Sequence, residues 1–309
     1  MIAFLNTLPG AVSQGLIWGI MAMGVYISYK ILDIADLTVD GSICTGACVC
    51  AVMVAGGAPL WLAILLAVLA GAAAGTLTGL LHTALGIPSI LSGILTQLIL
   101  YSVNLAILGG KSMVSLAGNR EQLLLSMSDN IGAMLVGVVS VACLIIGLWL
   151  FFYTEVGLTL KSTGDNPDMS RAQGVNVKLN KVIGLAIANA IVAFAGALLA
   201  QYKGSANIND GRGAIVIGLA AIFIGLSVSL KIKPNFVVSL IGVVGGGIVY
   251  YIIYSFVILL GLKTDYLKML SAIIVVLFLA VPYLKGEYFT KRKPIPVPEG
   301  QETGGDGHA

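Results

Sequence analysis

Long apolar runs separated by short polar interruptions fill most of this chain. A hydrocarbon core about 30 Å thick takes roughly 20 mostly apolar residues per helical crossing. Nine stretches fit that description: residues 11–31, 42–55, 60–81, 89–108, 132–152, 182–202, 213–230, 236–260 and 267–284. The first contains Gly15, Gly19 and Gly24 and lacks a basic start followed by a small-residue cleavage site, so it is expected to be a retained span rather than a signal peptide.

Composition agrees with the pattern. Of 309 residues 58% are hydrophobic and only 10% charged, against roughly 25% charged in soluble domains, so water is not the main solvent. Lys and Arg resist translocation and collect on the cytoplasmic side. With the N-terminus outside, eleven of the 17 fall on the inner side (Lys30, Lys161, Arg171, Lys178, Lys181, Lys231, Lys233, Lys285, Lys291, Arg292 and Lys293) and six outside, which predicts an N-out, C-in all-α membrane protein. The tail, residues 291–309, is rich in Pro, Gly and charge and is expected to be cytoplasmic and disordered.

Two short segments look alike. Asp36-Leu37-Thr38-Val39-Asp40-Gly41-Ser42 and Asn207-Ile208-Asn209-Asp210-Gly211-Arg212-Gly213 each follow a span, hold an Asp-Gly pair and open a Gly- and Ala-rich apolar run. Their alignment superposes spans one to four on spans six to nine. The fifth span becomes a connector that turns the second copy upside down, an inverted-repeat plan found in transporters. Repeat one then covers residues 11–108, the connecting span 132–152, a cytoplasmic loop 153–181 and repeat two 182–284. In that topology Asp40 is on the inner side and Asp210 on the outer.

The second span is short, and three carboxylates precede it, so a broken helix is expected there. Irregular backbone at membrane depth survives only inside protein or beside a water-filled route. Asp36, Thr38, Asp40 and Ser42 are therefore candidates for a translocation path, with Asn207 and Asp210 of the later segment. The competing reading puts Asp33, Asp36 and Asp40 in an inner loop, with Thr38 or Asp40 capping the next helix. Gln97, Asn104, Asn189 and Gln201 lie within spans and either face the path or hydrogen-bond between helices. Cys44, Cys48, Cys50 and Cys143 read as small buried hydrophobes. The four-ligand set that a structural zinc requires is missing around Cys44 and Cys48, so no metal is expected.

The longest charged stretch, residues 154–181, offers Asp165 or Asn166 as a helix cap, Pro167 as a first helical residue and Gly174 as a stop. A short helix lying against the membrane follows from it, suited to docking a partner. The run from Gly157 to Val177, Gly-Leu-Thr-Leu-Lys-Ser-Thr-Gly-Asp-Asn-Pro-Asp-Met-Ser-Arg-Ala-Gln-Gly-Val-Asn-Val, resembles the coupling loop of the branched-chain amino acid and ribose-type ATP-binding-cassette (ABC) permeases. Residues 36–42 resemble that family's Asp-Leu-Ser-Val-Gly-Ser element with Asp40 inserted, and residues 197–225, with Gly211, Gly218 and Gly225, resemble its later glycine-rich span. The nearest subgroup in appearance is that predicted to import tryptophan and tyrosine.

That resemblance implies a multi-pass permease of a bacterial inner membrane. It implies a second permease copy, cytoplasmic ABC ATPase subunits carrying ATP and Mg, and an external substrate-binding protein. Gly164, Asp165, Asn166, Pro167, Ser170, Arg171 and Gly174 would form the ATPase-coupling surface. The chain contains no Gly-x-x-x-x-Gly-Lys-Ser/Thr phosphate loop, so hydrolysis is expected on a partner. It also lacks Gly-x-Ser-x-Gly and His-Glu-x-x-His, so no catalytic residue is assigned and the chain is not expected to be an enzyme. An ion-coupled secondary transporter is the alternative, since inverted repeats and broken helices suit it too.

Overall fold

The structure, a computed structural model, describes residues 2–116, 118, 123–126, 130–229, 235–259 and positions 269, 272, 273 and 276, with side chains from Thr7 onward. Ten α-helices run through the described residues: α1 (Ile2–Tyr26), α2 (Val39–Ala55), α3 (Leu60–Thr83), α4 (Ser89–Ile107), α5 (Asn130–Phe152), α6 (Glu155–Asp165), α7 (Pro167–Ala172), α8 (Val177–Lys203), α9 (Ala214–Ser229) and α10 (Phe236–Leu259). A π-helical turn, Ile27–Ile31, extends α1. Strands β1 (Met113–Ser115) and β2 (Ser205–Asn207) pair antiparallel.

Helices dominate because hydrocarbon offers backbone N–H and C=O groups no partners, so each segment must satisfy its own. Among the described residues six helical stretches are long and apolar enough to cross a membrane: Thr7–Ile31, Leu60–Thr83, Ser89–Ile107, Asn130–Phe152, Val177–Lys203 and Phe236–Leu259. Two further apolar helices are shorter. α2 has 17 residues and α9 has 16, about 25 Å each at 1.5 Å per residue, less than the roughly 30 Å hydrocarbon core. Of the expected ninth span only four positions are described, and the tail 291–309 lies outside the described residues.

At the centre are α1 and α8. α8 packs against α3, α2 and α1, while α1 packs against α10, α9 and α5. Glycines set these distances. A Cβ at Gly75 or Gly71 of α3 would collide with the Leu185 or Asn189 carbonyl of α8, and one at Gly15 of α1 with the Ile248 backbone of α10. Small residues let helix backbones approach closely where apolar surroundings supply no hydrophobic drive. The outer faces of α4 and α5 present large apolar side chains such as Leu95, Ile99, Leu135 and Ile146, as lipid-facing helices do.

The α3–α8 contacts run from Gly71 opposite Ala193 to Gly79 opposite Val182, so these two helices are antiparallel. The start of α1 lies at the C-terminal end of α8, where the Tyr202 hydroxyl donates to the Gly10 carbonyl at 3.4 Å. From their N-termini, α2 runs toward that end and α9 runs toward the opposite one, the end marked by Lys30 and Phe236.

Candidate functional site

The π-turn ends α1 with Leu32 N–H bonded to Ile27 O at 3.0 Å and Ile34 N–H to Ser28 O at 2.9 Å. Asp33 then takes a left-handed φ of 54°, and the chain re-enters the protein as an extended strap through residue 36 before α2 begins. The expected broken helix is there, although α2 starts at Val39, three residues before the expected span, and so takes Asp40 into its first turn.

Four predicted path residues close into one polar knot. The Asp36 carboxyl accepts from Thr38 N–H at 2.9 Å and from Asn189 Nδ2 at 2.7 Å. Ser42 Oγ donates to Asn189 Oδ1 at 2.6 Å, and the Thr38 and Thr78 hydroxyls meet at 2.7 Å. Each of the four is at most 2% exposed. Enclosed and mutually satisfied, they bind the strap to α8 and α3. Asp36 makes an Asx-type turn onto Thr38, so one carboxyl holds a local turn and a neighbouring helix together. Asn189 sits midway along α8, which puts the knot deep between the two ends of the bundle.

Asp40 acts elsewhere. Its two carboxylate oxygens accept from Gly213 N–H and Ile215 N–H, both at 2.9 Å, at the start of α9. Gly211 abuts the Asp40 backbone carbonyl. This corrects the expectation that the Asp40 and Asp210 segments lie on opposite sides. Both segments turn inward from opposite ends, and the N-termini of α2 and α9 meet. Free N–H groups and the macrodipole make a helix N-terminus favour negative charge, so a carboxylate between two such ends is stabilised by both.

Asn207 and Asp210 shape the second strap. Asp210 Oδ2 accepts from Asn207 N–H at 2.9 Å, Oδ1 pairs with Lys203 Nζ at 2.9 Å, and Asn207 Oδ1 accepts from Asn209 N–H at 2.9 Å. Gln97 and Asn104 of α4 line a cavity of about 340 Å³ with Asp40, Tyr101 and Arg212. Tyr101 and Arg212 were not among the residues singled out in sequence; a lone Arg after an Asp-Gly pair reads as an ordinary loop charge. Gln201 is a linker, accepting from Leu124 N–H at 3.3 Å.

The cysteines divide. Cys44, Cys48 and Cys50 are buried, whereas Cys143 is exposed on α5, against the expectation that all four are enclosed. Cys44 and Cys48 sulfurs lie 3.8 Å apart, and no cluster of three His, Cys, Asp or Glu occurs among the described residues.

Residues 153–181 are more ordered than a loop. α6 starts at a Thr154 cap whose side chain accepts from Gly157 N–H. α7 starts at Asn166, whose Oδ1 accepts from Met169 N–H at 3.0 Å, with Pro167 in its first turn. Gly174 follows with a left-handed φ of 83°, a conformation that glycine adopts without strain. Ser162 and Ser170 hydroxyls meet at 3.1 Å and tie the two helices together. Asn180 Nδ2 donates to Thr163 Oγ1 at 3.1 Å, anchoring them on α8. Gly164 presses against the Ile31 carbonyl at the foot of α1. Arg171, paired only with the solvent-facing Asp168 at 3.3 Å, points outward. Lys178 and Lys181, expected in a loop, belong to the first turns of α8.

Comparison with known proteins decides the family. The family model described as "Branched-chain amino acid transport system / permease component" matches residues 8–279. The chain belongs to this permease family. The permease is 38% identical over 268 residues to the tyrosine transport system permease protein of Clostridioides difficile (strain R20291), covering 87% of this chain and 88% of that one. It is 34% identical over 286 residues to the uncharacterized protein RP368 of Rickettsia prowazekii (strain Madrid E), covering 92% and 99%. The autoinducer 2 import system permease protein LsrC of Enterobacter sp. (strain 638) is 29% identical over 192 residues, 62% of this permease and 55% of LsrC. No solved structure matches. The permease is thus a multi-pass transport subunit and not an enzyme in its own right.

Proposed function

We propose that this permease is the membrane-spanning subunit of an ABC importer in a bacterial inner membrane and that its cargo is an aromatic amino acid of the tyrosine kind. Two copies form the path, an external binding protein delivers the solute, and cytoplasmic ATPase subunits, which bind ATP and Mg, dock beneath. The N-terminus lies outside and the tail inside, with nine spans built as two inverted repeats. In support, α8 meets α3 and α2 much as α1 meets α10 and α9.

The observation that carries the reading is the outward-facing α6–α7 element and its seat. Asn166 and Pro167 preorganise α7 for docking, and Gly164 bears directly on the end of α1. A displacement of α6 therefore reaches the Asp33–Asp36 strap and, through Asp40, the start of α9. Cargo identity is carried over from the tyrosine permease relative. An ion-coupled secondary transporter gains nothing from the family match, and Asp36 is enclosed in a satisfied knot rather than set in a relay.

Co-purification with the ATPase encoded beside it tests the proposal. The native chain is expected to retain the ATPase, and Arg171→Glu and a deletion of residues 165–174 to lose it while the permease stays folded. Tyrosine uptake by the reconstituted complex tests the cargo. An ATPase that never binds the native chain would overturn the importer reading.

A further inference from the structure

Where the two straps meet, a polar cavity remains whose chemistry the fold itself does not use. It lies between the first turns of α2, the middle of α4 and the loop leading to α9, and its volume of about 340 Å³ falls at the small end of the roughly 300–1,000 Å³ of ligand sites. A single amino acid suits that space better than a large metabolite.

Its groups are unevenly occupied. Asp40 is committed to the α9 amides. Asn104 is 1% exposed, lines the cavity, and its Oδ1 has no hydrogen-bond partner among the described residues. A buried polar atom without a partner is costly, and such exceptions call for an explanation. Arg212 forms no salt bridge among the described residues and rests over the Tyr101 ring, 5.9 Å from its centroid. Tyr101, Leu98 and Ile208 supply the apolar wall. The cavity therefore offers a cation, a buried acceptor and an aromatic face within one small volume.

We infer that this cavity is a substrate-holding site inside the permease, in which Arg212 takes the carboxylate of an aromatic amino acid, Asn104 Oδ1 accepts from one of its N–H or O–H donors, and Tyr101 and Leu98 flank its ring. The inference rests on the amino-acid importer reading and adds to it that the permease itself selects cargo after the binding protein has released it. Guanidinium pairs well with carboxylate, and a ring between Tyr101 and Leu98 would gain from aromatic contact.

The test is uptake of radiolabelled L-tyrosine by proteoliposomes holding the complete complex, with saturating binding protein, for the native chain, Arg212→Gln, Arg212→Lys, Asn104→Leu and Asn104→Ser. Assembly of each complex is checked by size exclusion. Loss of a hydrogen bond to a charged group predicts a fall of about tenfold or more for Arg212→Gln, with partial recovery in Arg212→Lys. Asn104→Leu is expected to fall similarly and Asn104→Ser less, since its hydroxyl still accepts. Native uptake of tyrosine with all assembled variants as fast as native would overturn the site and leave the importer reading standing. A native complex that hydrolyses ATP but imports no aromatic amino acid would overturn the cargo, and with it this occupant of the cavity.

Discussion

Replacing Asn189 by Leu tests how the strap is held. The Asn189 side chain joins three groups: it donates to Asp36 at 2.7 Å and to the Leu185 carbonyl at 3.0 Å, and accepts from Ser42 at 2.6 Å. Leu preserves the bulk while leaving the Asp36 carboxyl and the Ser42 hydroxyl short of a partner in a site where water cannot replace it. Two estimates bracket the cost. Interhelical hydrogen bonds in membranes average about 0.6 kcal/mol each, which puts three of them near 2 kcal/mol. Hydrogen bonds to charged groups contribute about 1.5–3 kcal/mol and neutral ones about 1 kcal/mol, which raises the total toward 4 kcal/mol. For a chain of 309 residues, a loss of about 2–4 kcal/mol corresponds to roughly 3–6 °C in melting temperature. With the exposed Cys143 replaced by Ser, buried Cys44, Cys48 and Cys50 make a thiol-reactive fluorophore a direct reporter, because α2 must open before they react. The pair Asp36→Asn with Asn189→Asp, which exchanges acceptor and donor, should recover part of the loss. A melting temperature within 1 °C of native for Asn189→Leu would refute the claim that this knot fixes the strap.

Two other substitutions bear on the same architecture. Gly75→Val places a branched side chain where the Leu185 carbonyl of α8 lies against α3; overpacking costs about 1–3 kcal/mol or more, so the monodisperse fraction in detergent should collapse. Asp40→Ala removes the acceptor for Gly213 and Ile215 N–H; loss of such a cap costs about 0.5–2 kcal/mol, and hydrogen exchange at these two amides should accelerate while those of α3 do not change.

Much of the α7 surface was legible because its signals are local. A capping Asn, a Pro in the first turn and a Gly in left-handed backbone are each set by the conformation of a few residues, and Asn166, Pro167 and Gly174 stand where the sequence predicts. The neighbouring α6 is expected as part of a charged loop, yet Lys161 and Asp165 lie along an amphipathic helix whose Gly157, Leu160 and Thr163 are buried. Path residues were harder. Asp36, Thr38, Ser42 and Asn189 stand out in sequence as polar groups in or beside apolar runs, but composition does not distinguish a residue that faces a route from one that binds two elements together.

Hydropathy by itself determined the membrane, the helical class and the approximate span limits, because hydrocarbon leaves a backbone no alternative to internal hydrogen bonds. The breaks before α2 and α9 were also written in the chain, as carboxylates and an Asp-Gly pair within apolar sequence. Only the tertiary structure decided what those breaks do. Asp40 and Ile215 are 175 positions apart in sequence, and a hydrogen bond over that separation depends on how α1, α8 and their glycine contacts fold the two straps inward. Depth and pairing are properties of packed helices, not of any window along the chain. The same packing separates the satisfied carboxyl of Asp36 from the Asn104 Oδ1, which has no partner among the described residues.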